Sequence, residues 1–569
     1  MKRIMFGASA ALLAFAATGV GNAKDAPAPA SLWFNGTIIT MDGPAPRTVD
    51  AVVARDGRIV FAGPERKARA VAGKDAVRHD LKRATMLPGF IDAHSHFAIA
   101  LQSAGGIDLS DPALPPVTDA ASLIATVRAE ADRRQIPAGE WVVVWQYNEE
   151  ALAERRHVTR AELDSAFPDR KVILLHVSLH GLVANSAALA AVGVTEDTPV
   201  PAGGIMPKGP DGKLSGLVFE SALFLIMPKL PQPTEAQKLA ALDAAQTRYA
   251  REGFTHAQEG GTQLPDLKFL MSQPARDRLR IDLAALPFHS TLDWVLAQPD
   301  LKFGEYQGRF KLQGIKFVLD GSPQARTAFF TRDYARGSPG EGKHPWHGEP
   351  VMSEAAFQDM ASKVHARGWQ IFTHANGDAA IDMALRGFDA LGIKAADNRR
   401  PVVIHSQFQR RDHLPAYARI GVGPAYFSNH TLYFADTHRT NFPAEVVDFI
   451  SPLKAASAAG LHPSNHSDFP VTRLDPFTQL WSSMARTSIT GVVSGADQRL
   501  SAYAGLQALT TGPAWQVFED NRKGRIKRGL LADFVVLDRN PLAVTVDEVR
   551  SIKVLETVKE GRSIWKRGE

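Results

Sequence analysis

The sequence predicts an α/β protein: a (β/α)8 barrel carrying a large insertion, with a small β-domain assembled from both chain ends. Short apolar runs alternate with helical stretches through the middle of the chain. A long gap separates the first two of those runs. Both ends read as β.

The candidate barrel strands are Met86–Phe90, Phe254–Ala257, Ile281–Leu286, Gly314–Leu319, Gln370–Thr373, Val402–Ile404, Gly421–Ala425 and Leu461–Asn465. Their alternation with helices is that of βα units, and a closed barrel needs eight. Counting alone leaves a doubly wound sheet open. The gap, residues about 100–250, is expected to be an insertion with its own strands, Trp141–Trp145 and Lys171–His176, and a helix at Glu235–Glu252. Loops of that length usually carry structure and often function.

At the N-terminal end, Leu32–Ile39 and Ala51–Phe61 are β-rich, and Asp56-Gly57 within the second is a strong hairpin signal. At the C-terminal end, Ala532–Leu537 and Val554–Arg562 give further strands. The expected organisation is therefore 24–86 with 510–569 as one β-domain, and 87–509 as the barrel.

Lys2 and Arg3 precede an apolar run, Ile4 to Val20, and Gly21-Asn22-Ala23 offers small residues at a cleavage point. This pattern predicts a signal peptide over 1–23 and an exported protein, periplasmic or secreted. The run is short for a membrane span and no later stretch replaces it, so no membrane association is expected after cleavage. Hydrophobic residues make up 45% and charged residues 22%, which suits a globular protein. The net charge of +5 is dispersed without a Lys/Arg block, which argues against a nucleic-acid partner. The absence of cysteine excludes disulfides, thiolate ligands and a cysteine nucleophile.

Polar residues gather at the predicted strand ends. The first strand runs into His94-Ser95-His96, and on extended chain residues i and i+2 share a face, so both imidazoles can reach one cation. Lys316 is flanked by apolar residues, and a buried ammonium without a partner is costly. One resolution is a neutral amine that takes up carbon dioxide to become a carbamate. His374, His405 and Asp468 close three further runs. Any one strand-end histidine is commonly structural. Four, with a lysine and an aspartate, at ends that converge on one face of a barrel, point to a divalent metal, zinc by default.

The order of these residues resembles the metal-dependent amidohydrolase superfamily, and within it the family 3 branch that includes N-substituted formamide deformylases and exoenzyme-like amidohydrolases. Leu87–His96, Lys316–Ser322 with Arg326-Thr327-Ala328, and His374–Ala380 are similar to that branch's blocks, as are Leu163-Asp164, His180 and Asn185-Ser186 in the insertion and Gly529 with Ala532–Leu537 at the end. His466, where members usually have glycine, and Tyr426–His430 depart from its pattern. The resemblance implies a distorted barrel and a composite β-sandwich from the N- and C-terminal segments. It implies His94, His96 and Asp468 on one ion, His374 and His405 on another, and carboxylated Lys316 between them, with one or two ions in use. A homo-oligomer is compatible with it.

The expected function is hydrolysis of a C–N bond in a small amide-type, non-peptide substrate by a metal-activated hydroxide, with Asp468 as general base and then acid. His180 and His430 are candidate substrate contacts. A metal-dependent esterase, lactonase or carbamate hydrolase would use the same site. An exported metal- or ligand-binding protein without turnover is a more distant alternative. The mature chain has no Gly-x-Ser-x-Gly elbow and no dinucleotide or phosphate-loop motif, which argues against serine hydrolases and nucleotide enzymes.

Overall fold

The computed structural model describes residues 29–569 apart from 112–113, 178–180, 202–203, 210, 231 and 340–341. The expected signal peptide and His180 therefore lie outside the described residues. The rest is a mixed α/β fold.

The parallel strands form two arcs. Phe90–Ile91, Phe254–Thr262, Asp282–Pro287 and Phe310–Leu312 make one. Gly314–Val318, Gln370–Ala375, Val402–His405, Gly423–Tyr426 and Ser464–Asn465 make the other. Phe310–Leu312 and Gly314–Val318 are halves of one extended segment. The Gln313 N–H between them donates to the Ala285 carbonyl at 3.0 Å, so one half pairs backward and the other forward. Lys311 and Gln313 break the apolar run here, which is why the first half is not visible as a strand in the sequence.

The expected first strand, Met86–Phe90, divides in two. Thr85–Pro88 pairs with Phe534–Leu537 in the sheet of the chain ends, and Phe90–Ile91 pairs with Phe254–Thr262. Gly89 is the pivot: a Cβ there would lie 2.4 Å from the Thr255 side chain. The chain ends share one eight-stranded sheet in the order Arg562–Lys566, Val554–Lys559, Phe534–Leu537, Thr85–Pro88, Ser31–Ile39, Thr48–Arg55, Arg58–Gly63, with Val77–Asp80 also on Ser31–Ile39.

Buried charges tie that sheet to the strand starts of the first arc. Asp282 is paired with Lys523 and, at 2.9 Å, with Lys559, which also reaches Asp533 at 2.8 Å. Lys311 is 2.6 Å from Glu519. All six side chains are buried. Such pairs are weak evidence of net stabilisation, but removing one partner strands the other.

Between Phe97–Ala104 and Glu235–Arg251, which pack together, the chain builds a six-stranded sheet ordered Gly204–Ile205, Leu217–Glu220, Gly181–Ala184, Lys171–His176, Trp141–Tyr147, Ile107–Asp108. Alternate residues serve opposite faces, as strand geometry requires. Val172 and Leu174 enter one apolar cluster, and Ile173 and Leu175 another that touches Ile99. No helix among the described residues is long and apolar enough to cross a membrane.

Asp282→Asn tests the charge network. Burial alone would raise the Asp282 carboxyl, but Lys523 and Lys559 outweigh it and hold it well below the usual carboxylate range. Its contribution is therefore complete above the unfolded aspartate pKa of about 4 and is lost as pH falls below that value. Denaturant unfolding at pH 7 should show a loss of about 3 kcal/mol in the variant, together with a shallower decline in stability below pH 4 than in the unaltered protein.

Candidate metal centre

His94 and His96 follow the two-residue strand Phe90–Ile91 rather than lying within it, so backbone pairing alone does not fix them. Three other contacts do. The Asp92 N–H donates to the His256 carbonyl at 3.0 Å, the Gly260 N–H to the Ser95 carbonyl at 2.8 Å, and the His96 N–H to the Phe469 carbonyl at 2.8 Å. Ser95 Oγ donates to the Asp92 carboxylate, which anchors the turn from inside. His374 lies within Gln370–Ala375 and His405 ends Val402–His405. Asp468 follows Ser464–Asn465. His405 (φ 69°) and Asp468 (φ 51°) both adopt left-handed backbone, a strain of about 1–3 kcal/mol each that the surrounding structure must hold.

The six side chains line one cavity of about 330 Å³, with Ile99, Gln102, Glu259, Asp266, Phe288 and Val318 among its other walls. His94 Nε2 and His96 Nε2 lie 3.2 and 3.4 Å from Asp468 Oδ1. Lys316 Nζ is 3.4 Å from His94 Nε2, and His405 Nε2 is 3.0 Å from His374 Nδ1. Ligand atoms of His94, His405 and Asp468 all lie within 4.8 Å of one another, a spacing that suits a shared cation.

Protonation favours the same reading. Burial, with the Lys316 charge, holds His94 well below its ordinary pKa and His374 down to about 3. Burial and the neighbouring His374 do the same to His405. These rings are neutral and offer lone pairs. His96 is the exception: Asp468 and Glu259 outweigh burial and raise it. Asp468 is held well below its usual range, since His405, His94 and His96 together exceed the burial cost. Burial lowers Lys316 to about 7, against the pull of Asp468 and Glu259, so a large share of its amine is neutral near physiological pH. Neutral imidazoles, a carboxylate and a neutral amine around one cavity make a donor set that fits divalent cations.

Several residues outside the donor set support it. Gln258 Oε1 lies 3.3 Å from His94 Nδ1, which leaves Nε2 facing the cavity. Glu259 accepts from the Ala98 N–H at 2.5 Å and the Gly261 N–H at 3.2 Å, capping the helix that His96 opens. Asp320 accepts from the N–H groups of Phe329, Asn376 and Gly377 at 2.8–3.1 Å and so fastens the loop after Lys316 to the end of the His374 strand. A polar run, Gln258-Glu259-Gly260-Gly261, directly after a candidate strand was the available signal for the first two. His430 does not line the cavity. It is buried with Nδ1 3.0 Å from His438 Nε2 and its ring against Phe427.

The chain matches the amidohydrolase family model over residues 79–565. The Bacillus subtilis protein YtcJ is 26% identical over 556 residues, covering 94% of this chain and 99% of that one. The N-substituted formamide deformylase of Arthrobacter pascens is 27% identical over 534 residues, covering 90% and 96%. The crystal structure of an uncharacterised metal-dependent hydrolase from Pyrococcus horikoshii superposes with a TM-score of 0.72 at 22% identity, covering 91% of this chain and 99% of that one. The chain belongs to the amidohydrolase family.

Gly260 is where the cavity leaves no slack: a Cβ there would sit 2.1 Å from His94 Cε1 and 2.3 Å from Nδ1. Gly260→Ala should push the ring from its place, lower stability by about 1–3 kcal/mol and weaken zinc binding at least about tenfold. Thermal unfolding and competition against a chromophoric chelator measure the two effects separately.

Proposed function

We propose that the protein is an exported, zinc-dependent hydrolase of small non-peptide amides, cleaving the bond between an acyl carbon and nitrogen. The observation that carries this reading is the convergence of His94, His96, Lys316, His374, His405 and Asp468, drawn from distant parts of the chain, on one cavity. The two arcs are read as a distorted barrel over 87–509 with the insertion at about 100–250, and the sheet of the chain ends as a composite β-sandwich over 24–86 and 510–569.

His94, His96 and Asp468 would hold one ion, and His374 and His405 a second. When bound, such a cation polarises a carbonyl and acidifies water. Asp468 is the group suited to move protons. Its carboxylate, held below its usual range by the neighbouring imidazoles, accepts the proton of the attacking water and returns it to the leaving nitrogen, so amide and water become acid and amine. The neutral fraction of Lys316 can attack carbon dioxide, losing a proton to give a carbamate with two oxygen donors. The relationship to a formamide deformylase supports a small N-acyl substrate.

Plasma mass spectrometry on chelator-free protein tests the centre. About two zinc-like ions per chain, falling in Lys316→Ala, is the expected result; no metal even after reconstitution overturns the reading. Asp468→Asn should lower kcat on an N-acyl amide by at least about 100-fold. Near-normal turnover with metal still bound would remove Asp468 from its role.

A further inference from the structure

A metal-binding imidazole is ordinarily aimed by a hydrogen bond from its remote ring nitrogen to an outer carboxylate or carbonyl. His94 has such a partner in Gln258 at 3.3 Å. His374 Nε2 faces the Gly321 carbonyl at 3.4 Å. His405 has none among the described residues: its Nε2 faces His374, and its Nδ1 is buried without a partner. Its backbone is left-handed at the last position of its strand, in register with Ala375 and Tyr426.

What surrounds His405 is a column of rings. His438 stacks on His430 at 5.3 Å, His430 meets Phe427 edge-on at 4.8 Å, and Phe427 stacks on His466 at 5.0 Å. The His466 ring then touches two ligand rings at once, His94 at 5.2 Å and His405 at 5.1 Å. His466 is wholly buried. Neither of its nitrogens finds a well-aligned hydrogen bond, although the Ala425 carbonyl is close enough to favour its protonated form. The contacts it does make are through its ring. Aromatic pairs of this kind have preferred angles, which is what an orienting strut requires.

We infer that His466, backed by Phe427, is a positioning residue that holds the His405 and His94 imidazoles in ligating orientation by ring packing, in place of the hydrogen bond that His405 lacks. The inference rests on the metal-dependent reading above. The column does not reach the cavity, so it acts on the donors alone and not on a substrate.

The test uses the full chain with cobalt(II) or zinc(II) as probe. His466→Ala should weaken metal binding by about 10–100-fold and alter the visible cobalt(II) spectrum, while the metal-free protein stays folded by circular dichroism. His466→Phe keeps a ring face and should bind within about threefold of the unaltered protein. If that variant does not fold, Phe427→Leu serves instead, with a loss in the same direction as His466→Ala. Unchanged affinity and spectrum in His466→Ala or Phe427→Leu would overturn the inference. So would a folded His466→Phe that binds as weakly as His466→Ala, since a ring nitrogen would then be the active part. Absence of metal binding in the unaltered protein would overturn the metal-dependent reading and this inference with it.

Discussion

How firmly a buried lysine keeps its proton depends on how directly a carboxylate is paired with it, and this constraint divides the protein into two ends. Lys311 and Lys316 lie on the same extended segment, both almost fully buried. At the segment's start, Lys311 is 2.6 Å from Glu519, and burial brings it only to about 8. Five residues on, Lys316 lies 3.4 Å from an imidazole nitrogen, and burial takes it to about 7 against the pull of Asp468 and Glu259. At one end charges are matched and locked, tying the sheet of the chain ends to the strand starts. At the other, three imidazoles are left neutral with lone pairs unspent beside an ionised Asp468. The first arrangement lets the second exist, because the strain at His405 and Asp468 and the crowding of rings must be held by something rigid.

Much of the centre was legible in the sequence because its donors sit in compact local patterns: His94-Ser95-His96, a lysine in an apolar run, and an acidic or imidazole group closing each β-like stretch. The alternation of strands and helices and the β-rich ends were legible for the same reason, since each depends on a few consecutive residues. What was not legible depends on neighbours distant along the chain. Gln258 matters because His94 lies across from it, and Gly260 because the same ring needs the space. The split at Gly89 and the strand Phe310–Leu312, interrupted by polar residues, are set by what pairs alongside them.

The insertion shows how a long excursion can leave a centre undisturbed. Its sheet buries apolar residues on both faces, and Phe97–Ala104 packs against Glu235–Arg251 where it leaves and returns. Ile99 belongs to both worlds, lining the cavity and touching an apolar cluster of the inserted sheet. A change in that sheet therefore has a short mechanical route to the cavity wall without any donor moving.

The pairing of Thr85–Pro88 with Phe534–Leu537 sets the order of events during synthesis. The strand that leads into the His94 segment is edged on one side by a strand made far later along the chain. Until then its hydrogen-bonding edge has no mate, and Asp282 has no Lys523 or Lys559 to answer it. The sheet and the charge network thus stay incomplete until those much later segments have been made.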